Sequence, residues 1–272
     1  HLSVLFNMEN RYMLKLDEGE LERYKHMAST AKEGELDSWR KAGVVPGARM
    51  ADIGCGPGAI LIELARLIEP GGSIVGVEPD QNARSIVTEV ISRSGQTNIE
   101  LISSDAESTR LEPDSFDVVM MRHVLLHNGP RTMAILKHLI SLLKPTGHLY
   151  LCETDLTGFR KVPLDNTQED LWNRWLELLK SQGNDIQIGP KLGHLLNEAG
   201  LELVERGARF SIVDLSTGFR PTAWAAKIAI INAGLASEQD FKHLEDAYKK
   251  YLDIPGEKLL FVPHFWAVGK VK

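Results

Sequence analysis

"MADIGCGPGA", Met50 to Ala59, decides how the whole 272-residue chain is read. Glycines stand at 54, 56 and 58, and an acid, Asp52, lies two positions ahead of the first. The residues before them, "RMADI", have the apolar character of a short strand. The residues after them, "AILIELARLIEPGG", put Ile60, Leu61, Leu64, Leu67 and Ile68 on one face and Glu63, Arg66 and Glu69 on the other. That is the period of an amphipathic helix. Glycine lets a backbone turn sharply and approach a ligand with no Cβ in the way. In open α/β sheets, ligands bind at the carboxyl ends of the strands. A strand that leaves through glycines into a helix is therefore a candidate ligand site.

The same alternation continues outward. "SIVGVE" is a second strand, "DQNARSIVTEVISRSG" a helix and "IELISSD" a third strand. "SFDVVMMRHVLL" is an apolar fourth strand, and "PRTMAILKHLISLLKPTG" a helix stopped by Pro145 and Gly147 before a fifth strand, "HLYLCE". Continuous apolar strands alternating with amphipathic helices predict a parallel sheet covered on both faces. Four helical segments follow, with strands over "LELVERGARFSIVDL" and "EKLLFVPHFWAVGKV". The expected fold is α/β: a doubly wound, mostly parallel, seven-stranded Rossmann-like sheet with helical cap insertions. One domain is expected over 1–272, made of an N-terminal helical cap (1–43), a ligand-binding core (44–155), and lid helices with the last two strands (156–272).

Composition narrows the function. Hydrophobic residues make up 43% and charged residues 25% of the chain, as in a globular protein. The net charge is −6, and no basic run provides the face that a nucleic-acid binder normally shows. Cys55 and Cys152 form no CxxC pair and read as reduced thiols of a cytoplasmic protein. No apolar stretch reaches the ~18 residues of a membrane span. The start, "HLSVLFNMEN", lacks the basic leader of a signal peptide.

The loop is GxGxG, not the GxGxxG of dinucleotide binders. With its ordered neighbours, Glu78 ending strand two, "SDAE" ending strand three, "FDVVMMRHVLLH" and "LLKPTGHLYLCE", it resembles the class I S-adenosylmethionine-dependent methyltransferases. The likeness is to their small-molecule, natural-product, quinone-methyltransferase-like branch. It covers roughly residues 20 to 155, and more loosely the remainder. It implies S-adenosylmethionine as cofactor and a small-molecule acceptor. Gly54, Gly56 and Gly58 would pass under the amino-acid and ribose portions, with Cys55 beside them. Asp52 would support the loop and face the ammonium. Glu78, followed by Pro79, would accept from the ribose hydroxyls, and Asp105 from the adenine amino group with the Ala106 N–H beside it. Arg122 and His123 would line the methionine arm, with Tyr24 near the sulfonium.

For catalysis, His127 and His123 are the expected bases, with Glu153 at the end of strand five as a third candidate. Tyr12, Trp172, Trp175 and Trp224 are the expected walls of an apolar or aromatic acceptor pocket. No metal site is expected, since no HxxxH has a third carboxylate at a convincing spacing. Each residue also has an ordinary structural reading: a turn glycine, a solvated strand end, a capping histidine, a core aromatic. The rival functions are an RNA or protein methyltransferase on the same core, and a cofactor-binding protein of this fold that does not methylate. Homo-oligomerisation is left open.

Overall fold

The structure is a computed structural model that describes residues 18–217 and 220–272, without the side chains of 18–25 and of Met27. Tyr12 and the side chain of Tyr24 lie outside the described residues.

Among the described residues, eight strands form one sheet: β1 (Arg49–Ile53), β2 (Ser73–Val77), β3 (Ile99–Ile102), β4 (Phe116–Arg122), β5 (Leu143–Thr154), β6 (Arg160–Val162), β7 (Glu202–Asp214) and β8 (Leu259–Lys270). The order runs β3-β2-β1-β4-β5-β8, with β7 on the far side of β8. β1 to β5 pair in parallel, and β8 is antiparallel to β5, β6 and β7. The order reverses between β1 and β4, because the chain builds outward to β3 and then crosses to β4. That reversal opens a crevice at the carboxyl ends of those two strands.

The helices are α1 (Glu18–Lys41), α2 (Leu61–Leu67), α3 (Gln81–Ser94), α4 (Thr132–Ser141), α5 (Asn166–Ser181), α6 (Leu192–Glu198), α7 (Lys227–Asn232) and α8 (Glu238–Asp253). Local chemistry fixes their ends. The Asp80 carboxylate accepts the Ala83 N–H at 2.8 Å and starts α3, which Gly95 ends in the left-handed conformation. Ser237 and Asp240 form a reciprocal capping box at the start of α8. One sheet face packs Trp39, Leu61, Leu64 and Tyr150 beneath α1 and α2. The other packs Leu136, Leu139, Trp175 and Phe241 beneath α4, α5 and α8.

The sheet is the expected doubly wound one, with three local differences. β6 is an eighth strand of three residues. It forms because β8 runs past the end of β5 and offers Leu259–Phe261 as a pairing edge. β4 ends at Arg122 and not at Leu126, because His123 adopts φ +56 and swings the chain into a 3₁₀ turn over Leu125–His127. The segment expected as one helix from Pro221 splits into a 3₁₀ turn, Thr222–Trp224, and α7.

Candidate active site

The glycine loop closes the crevice by backbone geometry. Gly54, Gly56 and Gly58 have φ of 74, 55 and 78°, a region costly for residues with a Cβ. A Cβ on Gly54 would lie 2.4 Å from Val124 Cγ2, and one on Gly58 2.3 Å from Val87 Cγ2. These two glycines therefore also let β1 pack against the turn after β4 and against α3. The Gly54 and Cys55 N–H groups both donate to the Val77 carbonyl, at 2.8 and 3.1 Å, which ties the loop to β2.

Glu78 stands just past β2 and is 6% exposed. One of its carboxylate oxygens accepts the Gly56 N–H at 2.9 Å and the other the Asp80 N–H at 2.8 Å. Burial raises its pKa, and those two N–H groups oppose the rise. The carboxylate thus braces the loop and stands at the wall of the cavity. Asp52 is 2% exposed, and its Oδ2 has no hydrogen-bond partner. Burial pushes its pKa up to about 7, against the pull of Arg122 and with the push of Glu78. Asp105 lies in the turn after β3, where Arg131 pairs with it and also with Glu107 at 2.6 Å.

Asp52, Gly54, Gly56, Glu78, Asp105 and Arg131 line one cavity of about 1120 Å³, whereas Gly58, expected beside the cofactor, stands outside the lining and packs against α3. The cavity's volume exceeds the roughly 300–1,000 Å³ of a typical single-ligand pocket. Cys55, Pro79, Ala106, Arg122, His123 and His127 line it as well. Leu156, Phe159, Trp175, Leu260 and Val262 give it an apolar part of its wall. Trp175 is the one expected acceptor tryptophan on this wall, and its indole N–H is buried without a partner. Trp172 and Trp224 stand outside the lining. Trp172 donates to the Leu156 carbonyl at 3.3 Å and packs on Phe159 and Trp175. Trp224 donates to Gln168 Oε1 at 3.2 Å and packs on Phe241 and Tyr248. Both are core aromatics because their helices turn these faces inward.

Glu153 is 1% exposed, and its Oε1 accepts the Leu125 N–H at 2.7 Å and the Leu126 N–H at 3.4 Å. It thus fixes the turn that carries His127. Its pKa is pushed up to about 8, by burial first, against those backbone bonds. Arg122 is engaged by Glu35 of α1, a residue not anticipated from sequence: both guanidinium nitrogens reach it, Nη2 at 3.2 Å. Tyr150 Oη donates to Glu35 at 2.7 Å and Arg209 Nη2 at 3.1 Å. Three donors around one fully buried acid pin α1 beside the cavity, which its His26 and Ala28 help to line. Glu35 had a sequence signature. It falls in the stripe Ala31, Glu35, Trp39, Ala42, whose other members are apolar and buried.

His264 of β8 also lines the cavity and was not anticipated. Its Nε2 is 2.8 Å from Ser211 Oγ, and its Nδ1 is buried without a partner. With His123 and Cys152 it forms a group whose ligand atoms lie within 4.8 Å of one another, a donor set that the sequence expectation of no metal did not foresee.

A glycine turn with acids at the ends of adjacent strands, all on one large cavity, has the arrangement of a site for a nucleoside-type cofactor. The family described as "Methyltransferase domain" matches residues 45–200, and the chain belongs to it. Among curated relatives, a demethylmenaquinone methyltransferase of Bacillus cytotoxicus is 24% identical over 218 residues, covering 74% of this chain and 92% of the relative. Another, from Lactococcus lactis, is 27% identical over 158 residues and covers 53% of this chain; the chain spans 62% of that relative's length. A Bacillus halodurans C-125 structure assigned to the methyltransferases superposes with a TM-score of 0.59 at 14% identity, covering 88% of this chain and 99% of that one. A Haemonchus contortus phosphoethanolamine N-methyltransferase in complex with S-adenosyl-L-methionine superposes with 0.52 at 17%, covering 88% of this chain and 53% of that one. At such identities the structures speak for the fold.

The cofactor is S-adenosylmethionine, and the residues present fit it. The orphaned Asp52 Oδ2 is an acceptor suited to an ammonium, and Gly54, Gly56 and Glu78 line the same cavity. One consequence is measurable. A cationic ligand favours ionised Asp52, whose pKa in the free protein is about 7. Affinity for S-adenosylhomocysteine is then full above pH 7 and falls as Asp52 protonates, by up to about tenfold per pH unit. Calorimetry from pH 5.5 to 8 should show this slope in the native protein and a flat profile in Asp52→Asn.

Proposed function

We propose that this chain moves the methyl group of S-adenosylmethionine to a small, largely apolar or aromatic acceptor, in the cytoplasm and within secondary or quinone-type metabolism. What carries the reading is the continuity of the cavity. The same cavity is lined by Asp52, Gly54 and Glu78 and by Phe159, Trp175 and Leu260. The quinone-directed names of the relatives agree with such an acceptor. In this reading residues 44–155 hold the cofactor, and residues 1–43 and 156–272 cover the acceptor within one domain.

When bound, the cofactor supplies a methyl carbon activated by a sulfonium. The chain supplies alignment and exclusion of water. Glu78 takes the ribose hydroxyls, Ala106 and Asp105 stand by the adenine, and Trp175 offers its unpartnered N–H to an oxygen of the acceptor. His127, held at the cavity by the turn that Glu153 braces, accepts the proton of a hydroxyl acceptor. Imidazole titrates near neutral pH and suits this task.

The test is turnover of a panel comprising a naphthohydroquinone, a phenol and phosphoethanolamine, with products weighed by mass spectrometry. Methylation of the aromatic members and not of the phospho-amine is expected, and the reverse pattern refutes the acceptor class. His127→Asn should lower the maximal rate on the phenol by about 10²–10⁴-fold, the usual share of a positioned base. An unchanged rate across pH 6 to 9 removes His127 from the chemistry.

A further inference from the structure

The corner of the cavity under α1 carries more positive than negative charge. Arg122 and Arg209 both pair with Glu35, which among the described residues is the one carboxylate bonded to either guanidinium. Arg122 lines the cavity, and its side chain is 8% exposed. Arg209 lies behind it, 15% exposed, with its Nε buried and without a partner. Of the other titratable groups near this corner, Asp52 also acts on Arg122 and titrates at about 7, and its charge is matched by the ammonium once the cofactor is bound. Burial pushes the Cys152 thiol and the Tyr150 phenol well up. Glu153 keeps its proton to about pH 8. His264 stays neutral: burial, then Arg209, drives its pKa down to about 3. Two guanidiniums facing one carboxylate in a desolvated setting leave a cation without its counter-ion, a costly arrangement unless an anion joins it.

The same corner holds hydrogen-bond donors suited to that anion. Ser211 and His264 line the cavity 2.8 Å apart, Oγ to Nε2. If Ser211 donates to Nε2, the hydrogen of the neutral ring sits on Nδ1, the atom that is buried without a partner. An oxyanion selects that tautomer, because it needs a donor and not a lone pair.

We propose that the corner formed by Arg122, Ser211 and His264, with Arg209 behind it, is an oxyanion subsite that holds a carboxylate or ionised hydroxyl of the acceptor. The assignment rests on the methyl-transfer reading for the identity of its occupant and adds the charge that the occupant carries. A divalent metal on His123, Cys152 and His264 is the competing use of the same atoms. The two neighbouring guanidiniums raise the electrostatic cost of a cation there, which is why the anion is favoured.

The test compares 2-naphthoate with its neutral isostere 2-naphthamide, titrated into the full chain with S-adenosylhomocysteine present. The carboxylate should bind about tenfold or more tightly, as a hydrogen-bonded charge does over a neutral group. Arg209→Met removes the surplus charge while leaving the Glu35–Arg122 pair, and should abolish the preference. Arg209→Lys keeps the charge and should retain it. Isotope-labelled formate, followed by NMR line broadening, probes the corner without the apolar walls. Saturable formate binding with no affinity for either bicycle supports the subsite and overturns the apolar-acceptor reading. Equal binding of naphthoate and naphthamide overturns the subsite and leaves that reading standing. Failure of both anions to bind, or a preference that survives in Arg209→Met, overturns the subsite. So does stoichiometric zinc binding that Cys152→Ala abolishes.

Discussion

Glu78→Ala weakens the binding of S-adenosylhomocysteine by about 10–150-fold, the effect of losing a charged hydrogen-bond acceptor worth about 1.5–3 kcal/mol. The size of the loss has two sources in the structure. The carboxylate faces the cavity at the end of β2, where ribose hydroxyls would meet it. It also receives the Gly56 and Asp80 N–H groups, so its removal frees the middle of the glycine loop. Glu78→Gln separates the two. The amide retains one acceptor oxygen but must turn its NH₂ toward one of those N–H donors, so the loop stays strained and affinity is recovered only in part. Calorimetry on the three proteins checks this. An unchanged affinity in Glu78→Ala removes Glu78 from the cofactor site.

The largest effect on stability is expected at Glu35. Glu35→Gln leaves the buried guanidiniums of Arg122 and Arg209 without their counter-charge. Breaking a buried pair in this way costs about 3–5 kcal/mol, or roughly 6–20 °C in Tm for a domain of this size. Adding Arg122→Met to that variant removes one stranded charge and should restore part of the loss, which a purely steric effect of Gln would not allow. Acid adds an independent check. Burial by itself would raise the Glu35 carboxyl, but Arg122 overrides it and holds the pKa at about 2, below the 4.5 of an unperturbed glutamate. A carboxyl with a depressed folded-state pKa stabilises the protein fully above its unfolded value, and this contribution is lost as pH falls from about 4.5 toward 2. Unfolding followed by circular dichroism between pH 6 and 3 should show a steeper acid loss in the native protein than in Glu35→Gln.

The parallel half of the sheet was legible because its strands are short, apolar and separated by helices of clean period. "RMADI", "SIVGV" and "FDVVMMR" each became a strand within a residue or two at its start. Their ends were less legible. "RHVLLH" is apolar enough to prolong β4, yet the chain leaves the strand at His123, because a left-handed φ there is a backbone event with no pattern in composition. β6 was invisible for a related reason: "RKV" has no strand signature and owes its pairing to the overhang of β8.

That Asp52, Gly54, Gly56, Glu78 and Asp105 come together on one cavity could be read from the sequence, since each sits at or near the end of its own strand. Other parts of the lining depend on contacts between distant segments. Ser211 and His264 meet only because β7 and β8 pair along nearly their full lengths. Glu35 reaches Arg122 and Arg209 across 87 and 174 positions of sequence. The tryptophans show the limit of composition. Trp175 lines the cavity, while Trp172, three positions earlier on the same helix, supports it from behind.

A crystal structure with S-adenosylhomocysteine tests the central claim most directly, because the claim is one of placement. The ribose hydroxyls should lie on Glu78, the adenine beside Ala106, and the ammonium near Asp52. The sulfur should face the chamber bounded by His127, Phe159 and Trp175. A ligand whose ribose sits away from Glu78, or whose sulfur turns from that chamber toward open solvent, would contradict the account.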